Sequence, residues 1–117
     1  MNVHDFVHHL MLSKVFTSKQ AVVIDNVFIY FDDLKVYKVV LQINPSMMKK
    51  AKKLNINNTY QTIYFDGPSS MKLRFDEDNK DTVSKGRFYC IYDLHKRTAN
   101  VYNGEETEQQ QLMNIIK

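Results

Sequence analysis

Several groupings of residues in this sequence could do chemistry, and each can be held against the spacing that its chemistry demands. His4 and His8 stand one helical turn apart, so their imidazoles could share a metal ion, and Asp5 stands one turn before His9. His95 is the only other histidine. A structural metal site needs a third or fourth ligand, so the expectation is a polar helix face and no bound metal. Asp25, followed by Asp33–Leu34–Lys35, has the acid, then acid-x-lysine, order of metal-dependent nucleases, where carboxylates hold Mg²⁺ and a lysine stands near the attacking water. The interval is short, and Asp25, Asp32 and Asp33 fall where turns are expected, which favour aspartate in any case. Asp76-x-Asp78 opens like a calcium loop, but the sixth and twelfth positions, where glycine and glutamate belong, hold Asp81 and Arg87. The three glycines are not clustered, so there is no phosphate-cradling loop, and no serine has the context of a nucleophile elbow. Cys90 lies mid-strand beside Phe88 and Tyr92 in the alternation and reads as a small core filler. The expectation is a protein that is not an enzyme and uses no cofactor.

Recognition is the chemistry that the sequence does favour. Between Leu34 and Phe75 the basic residues Lys35, Lys38, Lys49, Lys50, Lys52, Lys53, Lys72 and Arg74 face one acid, Asp66, giving net +7 in a chain of net charge +3. The acids gather in Asp76–Glu77–Asp78 with Asp81, and in Glu105, Glu106 and Glu108. Concentrated positive charge draws phosphate backbones by Coulomb steering and counterion release. Aromatic rings are interleaved with it. Lys72 and Arg74 share one strand face, Arg87 and Tyr89 share the outer face of the next long strand, Tyr60 and Tyr64 share a face with Thr62, and Lys96 and Arg97 cap the last hairpin. If these strands pair, the side chains stand beside one another. Rings stack on bases at about 1–3 kcal/mol each while lysine and arginine follow the backbone.

The expected function is therefore a module that binds single-stranded DNA or RNA through Lys49, Lys53, Tyr60, Tyr64, Lys72, Arg74, Arg87, Tyr89, Lys96 and Arg97. Taken alone, the same residues are also ordinary half-exposed strand residues on a solvated lysine-rich surface. The competing class is a small protein-binding factor, such as a phage-type inhibitor of a host protein, or a virion component. Its interface would be the acidic loop at 76–81 or the exposed tyrosines, since tyrosine is enriched in protein interfaces. A homodimer is a further arrangement open to it. Lysine outnumbers arginine 13 to 3 and asparagine is frequent, a usage common in AT-rich bacterial and phage genomes.

The elements that must position these residues follow from length and periodicity. A chain of 117 residues with 44% hydrophobic and 25% charged residues suits one domain, 1–117, around one core. A single cysteine makes no intrachain disulfide. The segment MNVHDFVHHLML lacks the basic, apolar and cleavage regions of a signal peptide, and no apolar run approaches the roughly 18 residues of a membrane span. The expected location is cytoplasmic, in the host cytoplasm if the protein is viral, with no membrane partner. Residues 3–16 have an apolar stripe at helical spacing. Ala21–Ile24 and Val27–Phe31, around Asp25–Asn26, form a hairpin or one long bulged strand. In Lys35–Ile43 the alternation puts Tyr37, Val39, Leu41 and Ile43 on one face and Val36, Lys38, Val40 and Gln42 on the other. Asn44–Pro45 starts a helix that runs to about Leu54. Strands are expected at 59–65, 71–75, 86–94 and 98–102, an exposed acidic loop at 76–85, and a helix at 105–116. Short connections favour antiparallel pairing. The predicted class is α+β: a small, mostly antiparallel sheet or an OB-like, partly closed barrel, with N-terminal, middle and C-terminal helices.

Overall fold

The structure, a computed structural model, describes residues 2–13, 15–66, 70–73 and 87–103. Arg74, the acidic loop at 76–85 and the helix expected at 105–116 lie outside the described residues.

Helix α1, Val3–Leu12, is capped by Asn2, whose side chain accepts the Asp5 N–H at 2.8 Å. It buries Val3, Phe6, Val7 and Leu10. The helix stops short of its apolar periodicity because Ser13 turns extended and its hydroxyl donates to the Leu10 carbonyl at 2.8 Å. A second short helix, α2 at Ser18–Ala21, starts from a capping box between Thr17 and Gln20. Ala21 therefore closes a helix and does not open a strand.

The first strand, β1, runs unbroken over Ile24–Asp32 with an irregularity at Asp25, so of the two expected arrangements the long bulged strand is the one formed. It turns through Asp33 and Leu34, at φ 49° and 66°, into β2 at Lys35–Ile43. Two central residues at positive φ make a type I′ turn, the hairpin turn that matches strand twist. Asn44 accepts the Ser46 N–H at 2.9 Å, and Pro45 leads through a 3₁₀ turn into α3, Met48–Lys53. Asn55, at φ 63°, ends that segment in the left-handed conformation that asparagine tolerates. Strands β3, Tyr60–Tyr64, β4, Arg87–Asp93, and β5, Thr98–Asn103, complete a five-stranded sheet of order β3-β2-β1-β4-β5, antiparallel throughout. The class is α+β, and the sheet stays open, with β3 and β5 at its edges. Where a strand was expected at 71–75, Lys72 makes a single bridge to Lys35. It is flanked by bonds from Val36 N–H to the Met71 carbonyl (2.8 Å) and from Leu73 N–H to the Leu34 carbonyl (3.0 Å). That piece extends the β3 lane along β2.

The main core lies between one sheet face and the helices. Phe6 and Leu10 of α1 and Ala51 of α3 meet Ile29, Phe31, Leu41, Ile43, Phe88 and Cys90 there. Besides the irregularity at Asp25, the alternation breaks once more, in β2. Tyr30 pairs with Lys38 but Phe31 pairs with Val36, so Tyr37 is the extra residue of a β-bulge. Val36 consequently joins the main core, and Tyr37 crosses to the face of Lys38. The opposite face also buries residues: Phe28, Tyr30, Val40 and Tyr89, with Tyr37, Tyr60 and Ile91 packed against them. No helix among the described residues is long and apolar enough to cross a membrane.

Cys90 is fully buried, and burial pushes its thiol up to about 12, against the opposing effect of the Asn100 backbone. Reactivity belongs to the thiolate, so at pH 8 the native thiolate fraction is about a thousandfold below that of a free thiol. Ellman's reagent at pH 8 is expected to label the denatured chain promptly and the native chain at least a hundredfold more slowly by this reasoning. Equal rates would place Cys90 at the surface.

Candidate nucleic-acid interface

Antiparallel register converts the even-numbered side chains of β1 into rows that cross the sheet on the face away from α1 and α3. Tyr30 pairs with Lys38 on one side and with Tyr89 on the other. Lys38 in turn pairs with Tyr64, and Tyr89 with Tyr102. The result is a transverse row, Tyr64–Lys38–Tyr30–Tyr89–Tyr102, contributed by all five strands. Three of its rings, Tyr30, Tyr89 and Tyr102, are in contact. Tyr30 and Tyr89 stack at 6.0 Å between centroids, Tyr89 and Tyr102 stack at 5.0 Å with planes 15° apart, and Tyr37 leans on Tyr30 at 6.3 Å. The Lys38 ammonium lies 4.2 Å from the Tyr30 ring centre, a cation–π geometry.

Toward the β1–β2 turn, a second row runs Lys72–Lys35–Asp32–Arg87 by the same pairings. All of these side chains are exposed. On the other side of the tyrosine row stand Thr62, Val40, Phe28, Ile91 and Asn100, then Tyr60, Gln42, Asn26, Asp93 and Thr98. Asn26 Nδ2 donates to Gln42 Oε1 at 2.7 Å in this last row. Burial raises the pKa of the Tyr60 hydroxyl and the Gln42 side chain counters the rise, yet no hydrogen bond of full geometry reaches that oxygen. The face is thus graded. Tyr30 is 5% and Tyr89 7% exposed, while Tyr64 at the β3 edge is 74% and Tyr102 at the β5 edge 41% exposed.

The expected contact residues divide between different parts of the fold. Tyr60, Tyr64, Lys72, Arg87 and Tyr89 come together on this one face. Lys49 and Lys53 do not: they are exposed on α3, whose Ala51 packs into the core on the opposite side of the sheet. Lys96 and Arg97 sit in the β4–β5 turn at the far end from Lys72 and Arg87, with Arg97 on the α1 side. Arg74 lies outside the described residues. The face also gathers Tyr30, Lys35, Tyr37, Lys38 and Tyr102, none of which the sequence pattern had singled out as contacts. The signal that could have found Tyr30 and Lys38 is the short Asp33–Leu34 turn, which brings the residues flanking it together.

The potential nuclease grouping comes apart in the fold, whereas His4 and His8 stay on successive turns of α1. Among the described residues, no three His, Cys, Asp or Glu side chains could hold a metal ion together. Asp25 Oδ1 is engaged by His95 Nε2 at 2.8 Å and by Asn44 Nδ2 at 3.2 Å. Asp33 sits in the β1–β2 turn at the other end of β1. Asp76 and Asp78 lie outside the described residues. No protein-family model matches the chain, and neither the curated proteins nor the solved structures contain a match to it.

Proposed function

We propose that the chain is a binding module for single-stranded nucleic acid, with the tyrosine face and its basic border as the contact surface. The observation that carries this reading is the registration of two adjacent rows, one of rings and one holding Lys72, Lys35 and Arg87. Non-specific single-strand binders combine these two elements: rings that accept any base by its π-face, and cations that follow the phosphates. Tyr64, the most exposed ring of the row, is the first stacking platform, and Tyr102 the one at the opposite edge. The buried Tyr89 stacks on Tyr102 and holds that ring in place. No base-specific reading is assigned to the surface, and no catalysis.

Fluorescence anisotropy of labelled oligo-dT across a salt series tests this. The expected result is saturable binding at low salt that weakens steeply as salt is added, because neutralised phosphates release counterions. Flat anisotropy at low salt would end the reading.

The burial of Tyr30 and Tyr89 favours a second reading, a host protein as partner. Few rings then remain free for stacking on bases, whereas a protein interface needs only a handful of aromatic anchors. Flat anisotropy, together with capture of a partner that is lost on Tyr64→Ser and Tyr102→Ser, would transfer the face to that class.

A further inference from the structure

On the helix side of the sheet, at the end away from Lys72 and Arg87, helices α1 and α2 and the β4–β5 turn enclose a cleft of about 650 Å³. That volume falls in the range of small-molecule sites. Its lining mixes apolar side chains, Val7, Met11, Val22 and Ile24, with His4 and His8 from successive turns of α1, Tyr92 from β4, and His95 and Arg97 from the turn. Among the described residues, no carboxylate lines it. The Asp25 carboxylate, beside the cleft, is engaged by His95 and Asn44.

The polar part of the lining is built rather than incidental. His4 Nδ1 lies 3.1 Å from Tyr92 Oη, with the two rings edge to face at 5.1 Å. The turn is fixed by Asp93, whose carboxylate accepts the N–H groups of His95 and Lys96 at 2.9 and 3.0 Å. Leu94 N–H is bonded to the Asp25 carbonyl at 3.0 Å. Arg97 holds φ at 55°, a left-handed position that favours asparagine or glycine. A long cation is an unfavourable choice there, and backbone outliers of this kind gather at binding sites. Its charge is close enough to oppose the rise that burial gives the Tyr92 hydroxyl.

We propose that this cleft binds a small phosphate monoester, the phosphate held by Arg97, His4 and His8 and the organic body resting on Val7, Met11 and Val22. A guanidinium fork matches a phosphate in two parallel hydrogen bonds, and imidazoles add donors around it. The apolar side chains of the cleft give affinity for a body that inorganic phosphate lacks. The site is separate from the tyrosine face, so it stands or falls independently of nucleic-acid binding.

The test is an amide-resolved NMR titration of the full chain with phenyl phosphate. Saturable shifts are expected at His4, His8 and residues 92–97, with inorganic phosphate and benzyl alcohol each weaker by about tenfold or more. Arg97→Asn removes the guanidinium while installing a residue suited to the left-handed turn, so the fold is retained. It should weaken phenyl phosphate binding by about tenfold or more. Absence of saturable shifts at millimolar phenyl phosphate would overturn the proposal. So would shifts confined to the tyrosine face, or an unchanged affinity in Arg97→Asn.

Discussion

Phe28→Ala is expected to cost about 3–5 kcal/mol of folding stability, the range for emptying a fully buried aromatic site. Phe28 is at the centre of the middle strand, on the face opposite the main core, and is 0% exposed. Val40 and Ile91 stand opposite it on the flanking strands, and Tyr30, Val40 and Tyr89 are the other buried members of its cluster. In a sheet with one wet face this position would be half exposed, and the substitution would cost little. Domains of this size are stable by only about 5–15 kcal/mol, so the loss is a large share of the whole. It should appear in urea denaturation followed by circular dichroism as a midpoint lower by about 1 M or more. Thr62→Ala, at the exposed end of the same row, should stay within about 0.5 kcal/mol. A cost for Phe28→Ala below about 1 kcal/mol would show that the second face is not packed, because ordinary surface substitutions fall there.

This double burial explains what could be read from the sequence and what could not. The period-two pattern expected over 86–94 survives over Arg87–Asp93 in β4, with Phe88, Cys90 and Tyr92 in the main core and Tyr89 and Ile91 on the other face. Asn44–Pro45 starts its helix because both capping chemistry and proline geometry are local. Tyr37 and Val36 exchange faces because a bulge is set by pairing with β1, and strict alternation carries no information about it. Ala21 follows the Thr17–Gln20 capping box, a local signal outweighed on paper by the β-branched run after it. The tyrosine row was hidden for a topological reason. Tyr30 meets Tyr89 only because β1 lies between β2 and β4, and strand order is a long-range property. Half of the basic residues gathered by composition fail for the same reason: a charge-rich stretch of chain is not a charged surface until the sheet has divided it. Lys49 and Lys35 belong to one basic segment of the sequence and to opposite sides of the fold.

That division yields the sharpest prediction about binding. Replacing Lys35, Lys72 and Arg87 together with glutamine should lower the slope of log K against log salt for oligo-dT by about 2, since each phosphate contact contributes about 0.7 for a single strand. By the same relation, the loss at 0.1 M salt is about a hundredfold in affinity. Lys72 alone should contribute the largest part, because Asp32 stands directly opposite both Lys35 and Arg87 and its charge offsets theirs. The matched control is Lys49→Gln with Lys53→Gln, which removes the same kind of charge from α3 on the other side of the sheet. Its slope should equal that of the unaltered chain. Tyr64→Ala supplies the complementary arm. It should cost about 1–3 kcal/mol of binding with the slope unchanged, because stacking releases no counterions. If the α3 pair lowers the slope as much as the three sheet residues do, the attraction comes from net charge spread over the whole molecule. The alignment of rings and cations across the five strands would then have no part in it.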